Sequence, residues 1–186
     1  MAQRKIVLVR KGQRQWSLRP QDIAVALKLA ILDPPRLTYA ALGENLRLSA
    51  AETHASVTRL IDARLAFEHA DIGLKTVNLA LTNLIIHGVP YVFPAVRGGP
   101  TIGIPTAYAV KPLKDQVLFS DENPPVWPHA EGTTRGFGLM PLYPNLPSAA
   151  RDDAKFYSLL AMVDAIRIGQ ARERDLAARL LRGLLR

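Results

Sequence analysis

The chain has 186 residues, of which 48% are hydrophobic and 22% are charged, and it contains no cysteine. This length suffices for one core or two small ones, and the lack of cysteine excludes disulfide frameworks and cysteine-based zinc fingers. The formal net charge is +8, and basic residues are concentrated at both ends: residues 1–21 hold six basic side chains and no acidic one, and residues 151–186 hold eight basic against five acidic ones. Such ends attract a polyanion such as nucleic acid, while a solvated tail is the alternative interpretation.

The opening sequence MAQRKIVLVRKGQRQW lacks the long apolar core of a signal peptide, and no stretch reaches the roughly 18 consecutive apolar residues of a membrane span. We therefore expect a cytoplasmic chain that does not contact a membrane. The four histidines are scattered and match no metal-binding spacing, and no nucleophile motif or phosphate-binding loop is present. We expect no metal, no cofactor and no enzymatic activity.

The first predicted element is a helix that starts at Pro20, a residue that suits the first turn because its missing N–H would be unpaired there. Ile23, Leu27 and Ile31 recur at helical spacing and form an apolar stripe. The run Asp33-Pro34-Pro35 predicts the end of this helix. A second short helix is expected from the N-cap Thr38 to about residue 45.

A third helix is indicated by Ser49 and Glu52, which have the spacing of a capping box. The two side chains would satisfy otherwise unpaired donors at the start of the helix, which is expected to end near Leu65. Helical spacing predicts that four of its side chains face the core: Thr53, Val57, Leu60 and Ile61. After it, residues 66–77 contain Gly73 between short apolar pairs and predict a small β hairpin.

Residues 76–87 form the next predicted helix, which is apolar on most sides and therefore expected to be buried. Glycine and proline then interrupt residues 89–147 every few positions, yet this segment is apolar enough to pack, so we predict an ordered, irregular lobe. Two helices, over 152–168 and 171–185, follow the lobe. The predicted fold class is mainly α with a small β component.

The arrangement of helix, short helix, turn and capped helix over residues 20–65 is that of a helix-turn-helix, and a hairpin after it is typical of a wing. The expected domains are a basic arm with a winged helix-turn-helix in residues 1–75, and a linking helix, irregular lobe and C-terminal helical pair in residues 76–186. The alternative is two ordinary amphipathic helices joined by a turn. In a helix-turn-helix the capped helix enters the major groove, where each base pair presents a distinct pattern of polar groups.

We therefore predict contacts with double-stranded DNA from the capped helix, its preceding turn, the hairpin and the N-terminal arm. Small residues would allow close approach, Glu52 could accept from a cytosine amino group, and Arg59 could bind a guanine or a phosphate. Ser49 and Thr58 could hold phosphates. The complete set of candidate DNA-binding residues is Arg4, Lys5, Arg10, Lys11, Arg14, Arg47, Ser49, Ala51, Glu52, Ala55, Ser56, Thr58, Arg59 and Lys75.

The segment LGENLRLSAAETHASVTRLIDARL, residues 42–65, resembles the helix-turn-helix core of MarR-type winged-helix regulators. That resemblance implies a transcriptional regulator with a winged helix-turn-helix. Arg64 departs from the pattern, because a glycine often precedes the last leucine in those families. Residues 86–95 and 163–174 are similar to bacterial winged-helix proteins found beside toxin or phage-defence genes, which implies an autoregulating repressor or an antitoxin.

Three functional hypotheses follow from these patterns. The first is a homodimeric DNA-binding regulator whose apolar helix 76–87 and C-terminal helices supply the dimer surface. The second is an antitoxin-like protein whose lobe 89–147 and C-terminal helices bind and control a toxin or effector enzyme. The third is a small-molecule sensor in which the lobe forms a pocket and a ligand weakens DNA binding.

Overall fold

The computed structural model describes residues 17–32, 37–71, 73–116 and 123–185, and within them the fold is mainly α with a small β component. The elements in chain order are α1 (Pro20–Ile31), α2 (Tyr39–Leu46), α3 (Ala50–Asp62), β1 (Ala66–His69), β2 (Gly73–Thr76), α4 (Asn78–His87), α5 (Val89–Val92), β3 (Arg97–Pro105), a 3-10 turn (Ala107–Ala109), β4 (Pro125–Pro128), β5 (Thr134–Leu139), α6 (Leu146–Arg151), α7 (Ala154–Ile168) and α8 (Ala171–Leu184). The run Asp33-Pro34-Pro35, predicted to end the first helix, lies outside the described residues.

The helix α1 lies at the centre of the molecule. Residues 22–29 are all buried, so its packed surface is wider than the single apolar stripe that the sequence predicts. The helices α3, α4 and α7 all contact it. The ammonium of Lys28, near the end of α1, is 2.8 Å from the Asp153 carboxylate at the start of α7, so an ion pair accompanies the apolar packing of these two helices.

The predicted β hairpin is confirmed over β1 and β2. The two strands pair antiparallel, with Ala66 opposite Thr76 and His69 opposite Gly73. The backbone N–H of Val77 donates to the carbonyl oxygen of Leu65 over 2.8 Å. This bond closes the base of the hairpin, so the chain leaves the hairpin beside the point where it entered.

The helix α4 begins at Asn78 rather than at Thr76, because Thr76 pairs in the hairpin. Leu81 and Ile85 are completely buried, as a strongly apolar helix requires, but Leu79 is 75% exposed. The expectation that this helix is buried on most sides therefore fails for one of its faces.

The glycine- and proline-rich segment is folded in its described part, as predicted, but it contains three paired strands where the sequence predicted irregular structure. β3 pairs antiparallel with both β4 and β5, and β4 pairs parallel with β5, which closes the three strands on themselves. A Cβ atom on Gly103 would lie 2.0 Å from the Trp127 carbonyl oxygen, and one on Gly136 would lie 1.9 Å from that of Pro124. Glycine is needed at these positions because the neighbouring backbones approach closely, so the same residues that suggested interruptions permit the pairing.

The C-terminal helices match the prediction closely, with α7 starting two residues later than expected and α8 ending one residue earlier. The buried carboxylate of Asp164 on α7 accepts hydrogen bonds from Thr106, Trp127 and Arg167 over 2.8, 2.7 and 2.7 Å. Two of these partners belong to residues 89–147, which we call the second lobe, so this cluster fixes the three strands to the helical core.

Side chains of α1, α3, α4, α7 and α8 form one hydrophobic cluster that also includes Trp127 and Tyr143 from the second lobe. The packing is thus continuous across the described part of the chain. The division into residues 1–75 and 76–186 stays a prediction.

Candidate nucleic-acid interface

The connection between α2 and α3 is a tight turn held by backbone hydrogen bonds. Arg47 ends α2 in the left-handed conformation, with φ 54°, and Leu48 donates its N–H to the Gly43 carbonyl oxygen over 2.9 Å. A Cβ atom on Gly43 would lie 2.6 Å from the Leu48 carbonyl oxygen and 2.9 Å from Oγ1 of Thr53. Gly43 is therefore required for the close approach of α2 to α3, a role that sequence reasoning missed.

The capping box at the start of α3 is confirmed. The Glu52 backbone N–H donates to the Ser49 hydroxyl oxygen over 3.2 Å, and the Glu52 carboxylate accepts from the Ser49 N–H and hydroxyl over 3.0 and 2.7 Å. The hydrogen bond from the Ser49 hydroxyl, followed by that from its backbone N–H, lowers the pKa of Glu52. Ser49 and Glu52, both predicted to contact DNA, are exposed. Their side chains already form a hydrogen bond with each other.

Arg59 was predicted to contact DNA, and the structure contradicts that assignment. Its side chain is only 4% exposed, and its Nε and Nη2 atoms donate to the two carboxylate oxygens of Asp22 over 2.7 and 2.6 Å. These hydrogen bonds raise the pKa of Arg59 above its usual value. Asp22 also accepts the backbone N–H of Arg19 over 2.8 Å, at the start of α1. Arg59 therefore fixes α3 to the first turn of α1.

Ser56 was also predicted to face DNA, but it is fully buried. Its hydroxyl oxygen accepts a hydrogen bond from the Arg59 guanidinium over 3.0 Å. The outward assignment of both residues was wrong because the side of α3 that carries them packs against α1. Ile61 shows the opposite error, since it was predicted to face the core and is 37% exposed.

The exposed residues of α3 recur every three or four positions, so they lie on one face of the helix. Ala51, His54 and Thr58 are exposed, Ala55 is half-buried, and Ile61 continues the same face. We call these five residues the α3 surface. His54 was missed as a candidate although its spacing from the neighbouring candidates placed it on this face.

Two side-chain contacts restrict the α3 surface. The His54 ring packs edge-on against the Tyr39 ring at the start of α2, with ring centroids 4.9 Å apart. The Thr58 hydroxyl donates to the His54 carbonyl oxygen over 3.0 Å, which leaves its lone pairs facing outward. The surface is thus small, mostly uncharged and partly preorganised.

The second lobe supports the turn between α2 and α3. The Tyr143 hydroxyl donates to the Leu46 carbonyl oxygen over 2.8 Å, and the Asn145 amide donates to the Arg47 carbonyl oxygen over 3.4 Å. The guanidinium of Arg47, a predicted DNA contact, lies 2.6 Å from the Asp152 carboxylate. Both members of this ion pair are more than half exposed, so solvent screens it and its contribution is small.

Basic residues are sparse near the α3 surface. The helix α3 lies entirely within the described residues, and its one arginine, Arg59, is buried. Lys75, a predicted contact, is half-buried on β2, and Arg64 is exposed just after α3. The remaining predicted basic contacts lie outside the described residues: Arg4, Lys5, Arg10, Lys11 and Arg14. Exposed basic residues do occur on α8: Arg172, Arg174, Arg179 and Arg182.

One histidine lies beside a serine, but its geometry opposes general-base chemistry. Nε2 of His129 is 2.9 Å from the Ser148 hydroxyl oxygen, while the Glu131 backbone N–H donates to Nδ1 over 3.1 Å. Neutral His129 must therefore carry its proton on Nε2 and donate to Ser148, so it cannot accept the serine proton in this arrangement. Among the residues that the structure describes, no group of three or more acidic or histidine side chains could hold a metal ion.

Comparison of the chain with protein-family models, with curated proteins and with solved structures found no match. Within the described ranges, no helix combines the length and apolar character needed to cross a membrane. Inferences about function therefore rest on the geometry of the α3 surface and its supports.

Proposed function

We propose that this chain is a sequence-specific, double-stranded-DNA-binding transcriptional regulator of the MarR-type winged-helix class, which acts as a homodimer and represses its own gene. The observation that carries the proposal is the exposure of one face of α3 while its other sides are fixed. Arg59 and Ser56 hold it to α1, the capping box orders its first turn, and Tyr143 supports the turn before it.

The α3 surface would enter the major groove and read base edges. Ala51 and Ala55 are small enough to bring the helix backbone close to the bases, and alanine makes favourable contacts with the thymine methyl group. His54 and Thr58 would supply the polar contacts.

Phosphate contacts would come mainly from outside α3. The hairpin formed by β1 and β2 would lie along the duplex as a wing, with Lys75 as its basic residue and Arg64 beside it. The basic N-terminal arm and the exposed arginines of α8 would add contacts to the backbone that carry no sequence information. Arg47 would join them by exchanging Asp152 for a phosphate.

Ala51→Glu tests the proposal directly. We expect this variant to bind duplexes enriched from a random library by the unmodified protein at least about ten-fold more weakly, a loss of about 1.4 kcal/mol, because its carboxylate faces the groove. Ala154→Glu on α7 is the matched control, since both alanines are exposed in the first turn of a helix, where a glutamate is tolerated, and α7 supplies none of the proposed DNA contacts. Fluorescence anisotropy at one fixed salt concentration gives both affinities.

Equal losses in the two variants would indicate a nonspecific charge effect and contradict the assignment of the reading helix. Failure of the unmodified protein to enrich any duplex would overturn the proposed function. Binding of the enriched sequence upstream of the chain's own gene would support autoregulation.

An antitoxin-like function is the second candidate, and exposed apolar side chains favour it. Leu79 on α4 and Tyr91 on α5 are each 75% exposed, and Val92 is 59% exposed. The helices α4 and α5 contact each other, and exposed apolar groups on adjoining helices are typical of a surface that a second protein covers, whether a second copy or a toxin. A purified chain that stays monomeric, together with a stoichiometric enzyme co-purified from the native host, would favour the antitoxin over the dimer.

A further inference from the structure

The α3 surface, all of which the structure describes, is rich in methyl groups. Its fifth residue, His54, packs edge-on against Tyr39. None of the five residues is a lysine, arginine, aspartate or glutamate. The other four side chains each end in at least one methyl group: Ala51, Ala55, Thr58 and Ile61.

The commonest specific contact with guanine, in which an arginine or a lysine donates to both O6 and N7, is absent from this surface. Arg59 is the one arginine of α3, and its Nε and Nη2 atoms donate to Asp22 over 2.7 and 2.6 Å. Two acidic residues flank the surface. The Glu52 carboxylate accepts from the Ser49 hydroxyl. Asp62 lies at the end of α3, whereas a recognition helix contacts base edges from its start. Charge therefore does not select the bases at this surface.

The hydroxyl of Thr58 faces the groove as an acceptor. It donates its one proton to the His54 carbonyl oxygen over 3.0 Å, so only its lone pairs are left for a base. In the major groove guanine presents two acceptors, while adenine and cytosine each present an amino donor. The Thr58 hydroxyl can therefore accept from adenine or cytosine, but it cannot donate to guanine.

The methyl groups of the α3 surface distinguish these two bases. Thymine carries the one methyl group that an unmodified base pair presents in the major groove, and adenine is its partner. Thr58 holds a hydroxyl and a methyl group on the same carbon, so an adenine–thymine pair satisfies both. The methyl groups of Ala51 and Ala55 favour thymine in the same way, because apolar groups gain from mutual contact away from water.

The length of the surface limits how many base pairs it contacts. Ala51 and Thr58 are seven positions apart. This separation corresponds to about 10.5 Å along a helix axis, or roughly three base-pair steps of B-DNA. The contacts between these residues and thymine methyl groups therefore fall within about four consecutive base pairs of a half-site.

Attraction to a polyanion comes from residues beside the α3 surface. Arg64 is exposed directly after α3, and Lys75 is half-buried on β2. Residues 1–21 contain six basic side chains and no acidic one. Such residues neutralise phosphates without reading the sequence, so the uncharged surface is left to select the bases. This complementarity favours a duplex as the occupant of the exposed face of α3.

We propose that the α3 surface selects adenine–thymine pairs at the positions it contacts, and that the thymine methyl groups are the feature it recognises. This inference rests on the proposed function and deepens it by naming the class of duplex. Removing one contacted methyl group should weaken binding by about three-fold or more, the effect expected for losing the burial of one small apolar group.

The methyl groups are tested by replacing each thymine of an enriched duplex in turn with deoxyuridine, which removes the methyl group and keeps the base pairing. By fluorescence anisotropy we expect at least two replacements, within about four base pairs of a half-site, to weaken binding about three-fold or more. Replacements in the flanking sequence are the control and should change the affinity by less than about two-fold. A scan in which no replacement weakens binding would overturn the inference.

A second duplex series restores a methyl group on a different base. At each sensitive position the adenine–thymine pair is replaced by guanine–cytosine or by guanine–5-methylcytosine, with the pyrimidine on the strand that held thymine. We expect the methylated pair to be bound at least about three-fold more tightly than the unmethylated one. Equal affinities for the two pairs would contradict recognition of the methyl group.

The protein side of the contact is tested with two substitutions of Thr58. Thr58→Ser removes the methyl group and keeps the hydroxyl, whereas Thr58→Val keeps a methyl group and removes the hydroxyl. We expect Thr58→Ser to lose the preference for thymine over deoxyuridine at one position and to keep it at the others. Thr58→Val, the matched control, should keep the preference at every position. An unchanged preference in Thr58→Ser, or its loss in Thr58→Val, would overturn the role of the Thr58 methyl group.

The enrichment step separates this inference from the proposed function. If a duplex is enriched but deoxyuridine has no effect in it, the inference fails and the proposed function stands. If no duplex is enriched by the unmodified chain, the proposed function fails and the inference fails with it.

Discussion

Arg59 and Ser56 show how a single distant partner determines the role of a side chain. Both lie on α3 at positions that helical spacing alone turns toward solvent, yet the carboxylate of Asp22 is completely buried and needs a counterion. Arg59 is long enough to reach it and forms two parallel hydrogen bonds, and Ser56 accepts a third from the same guanidinium. The arginine thus organises the interior between α1 and α3.

We predict that Arg59→Ala lowers the free energy of unfolding by about 3–5 kcal/mol, because it leaves the Asp22 carboxylate buried without a counterion. Denaturant unfolding followed by circular dichroism measures the loss. Arg64→Ala is the control, since Arg64 is exposed and its removal should change the free energy of unfolding by less than about 0.5 kcal/mol. A stable Arg59→Ala protein that had lost only DNA affinity would restore the original assignment of Arg59 as a reading residue.

At the scale of elements, local signals were sufficient for some elements and not for others. The capping box starts α3 within one residue of Ser49, and the hairpin forms around Gly73 as expected. Both depend on contacts within a few residues, so the pattern of residue types determines them. The pairing of β3 with β4 and with β5 instead joins residues more than 20 positions apart, and the glycines that permit it have no distinctive local pattern.

We predict that Ser49→Ala destabilises the protein by about 1 kcal/mol at pH 7, because α3 loses its N-cap. The difference should be pH-dependent. The pKa of Glu52 is lower in the folded state than in the unfolded chain, so the stabilisation is present above the unfolded value, near 4.3, and is lost as pH falls through the folded value. The difference between the two proteins should therefore become smaller between pH 7 and about pH 3 without vanishing, because the bond from the Glu52 backbone N–H to the Ser49 hydroxyl does not titrate.

The control for this measurement is Ser158→Ala on α7, where the hydroxyl donates back to the Ala154 carbonyl oxygen within the same helix. Such a bond contributes little to stability, so this variant should remain close to the unmodified protein at every pH. A pH-independent difference for Ser49→Ala would show that Glu52 takes no part in the cap.

At the scale of the whole molecule, the second lobe supports the turn before α3, and apolar side chains of α4 and α5 remain exposed to solvent. The ring of three strands is fixed to α7 by Asp164, and its following loop holds the turn before α3 through Tyr143. Leu79 and Tyr91 remain exposed on the outside of this assembly. In the proposed homodimer, the two α3 surfaces would lie about 34 Å apart to bind half-sites separated by one helical turn.

We predict that Leu79→Glu shifts the chain from dimer to monomer, because the substitution places a charge in the apolar contact. Analytical ultracentrifugation over a concentration series measures the shift. Ile102→Glu, also at an exposed apolar residue, should leave the dimer intact. A monomeric unmodified chain, or a Leu79→Glu protein that is still dimeric, would contradict the assignment of this face.

The amino-acid sequence by itself determined α1 to α4, α7 and α8, the capped start of α3 and the hairpin, because short-range spacing and capping chemistry produce them. Only the tertiary structure decided which side of α3 is open, since Asp22 reaches Arg59 from 37 positions away. It also decided that the strands of the second lobe close on themselves and that Tyr143 connects this lobe to the turn before α3. These features depend on partners far apart in the chain, whose meeting no local pattern encodes.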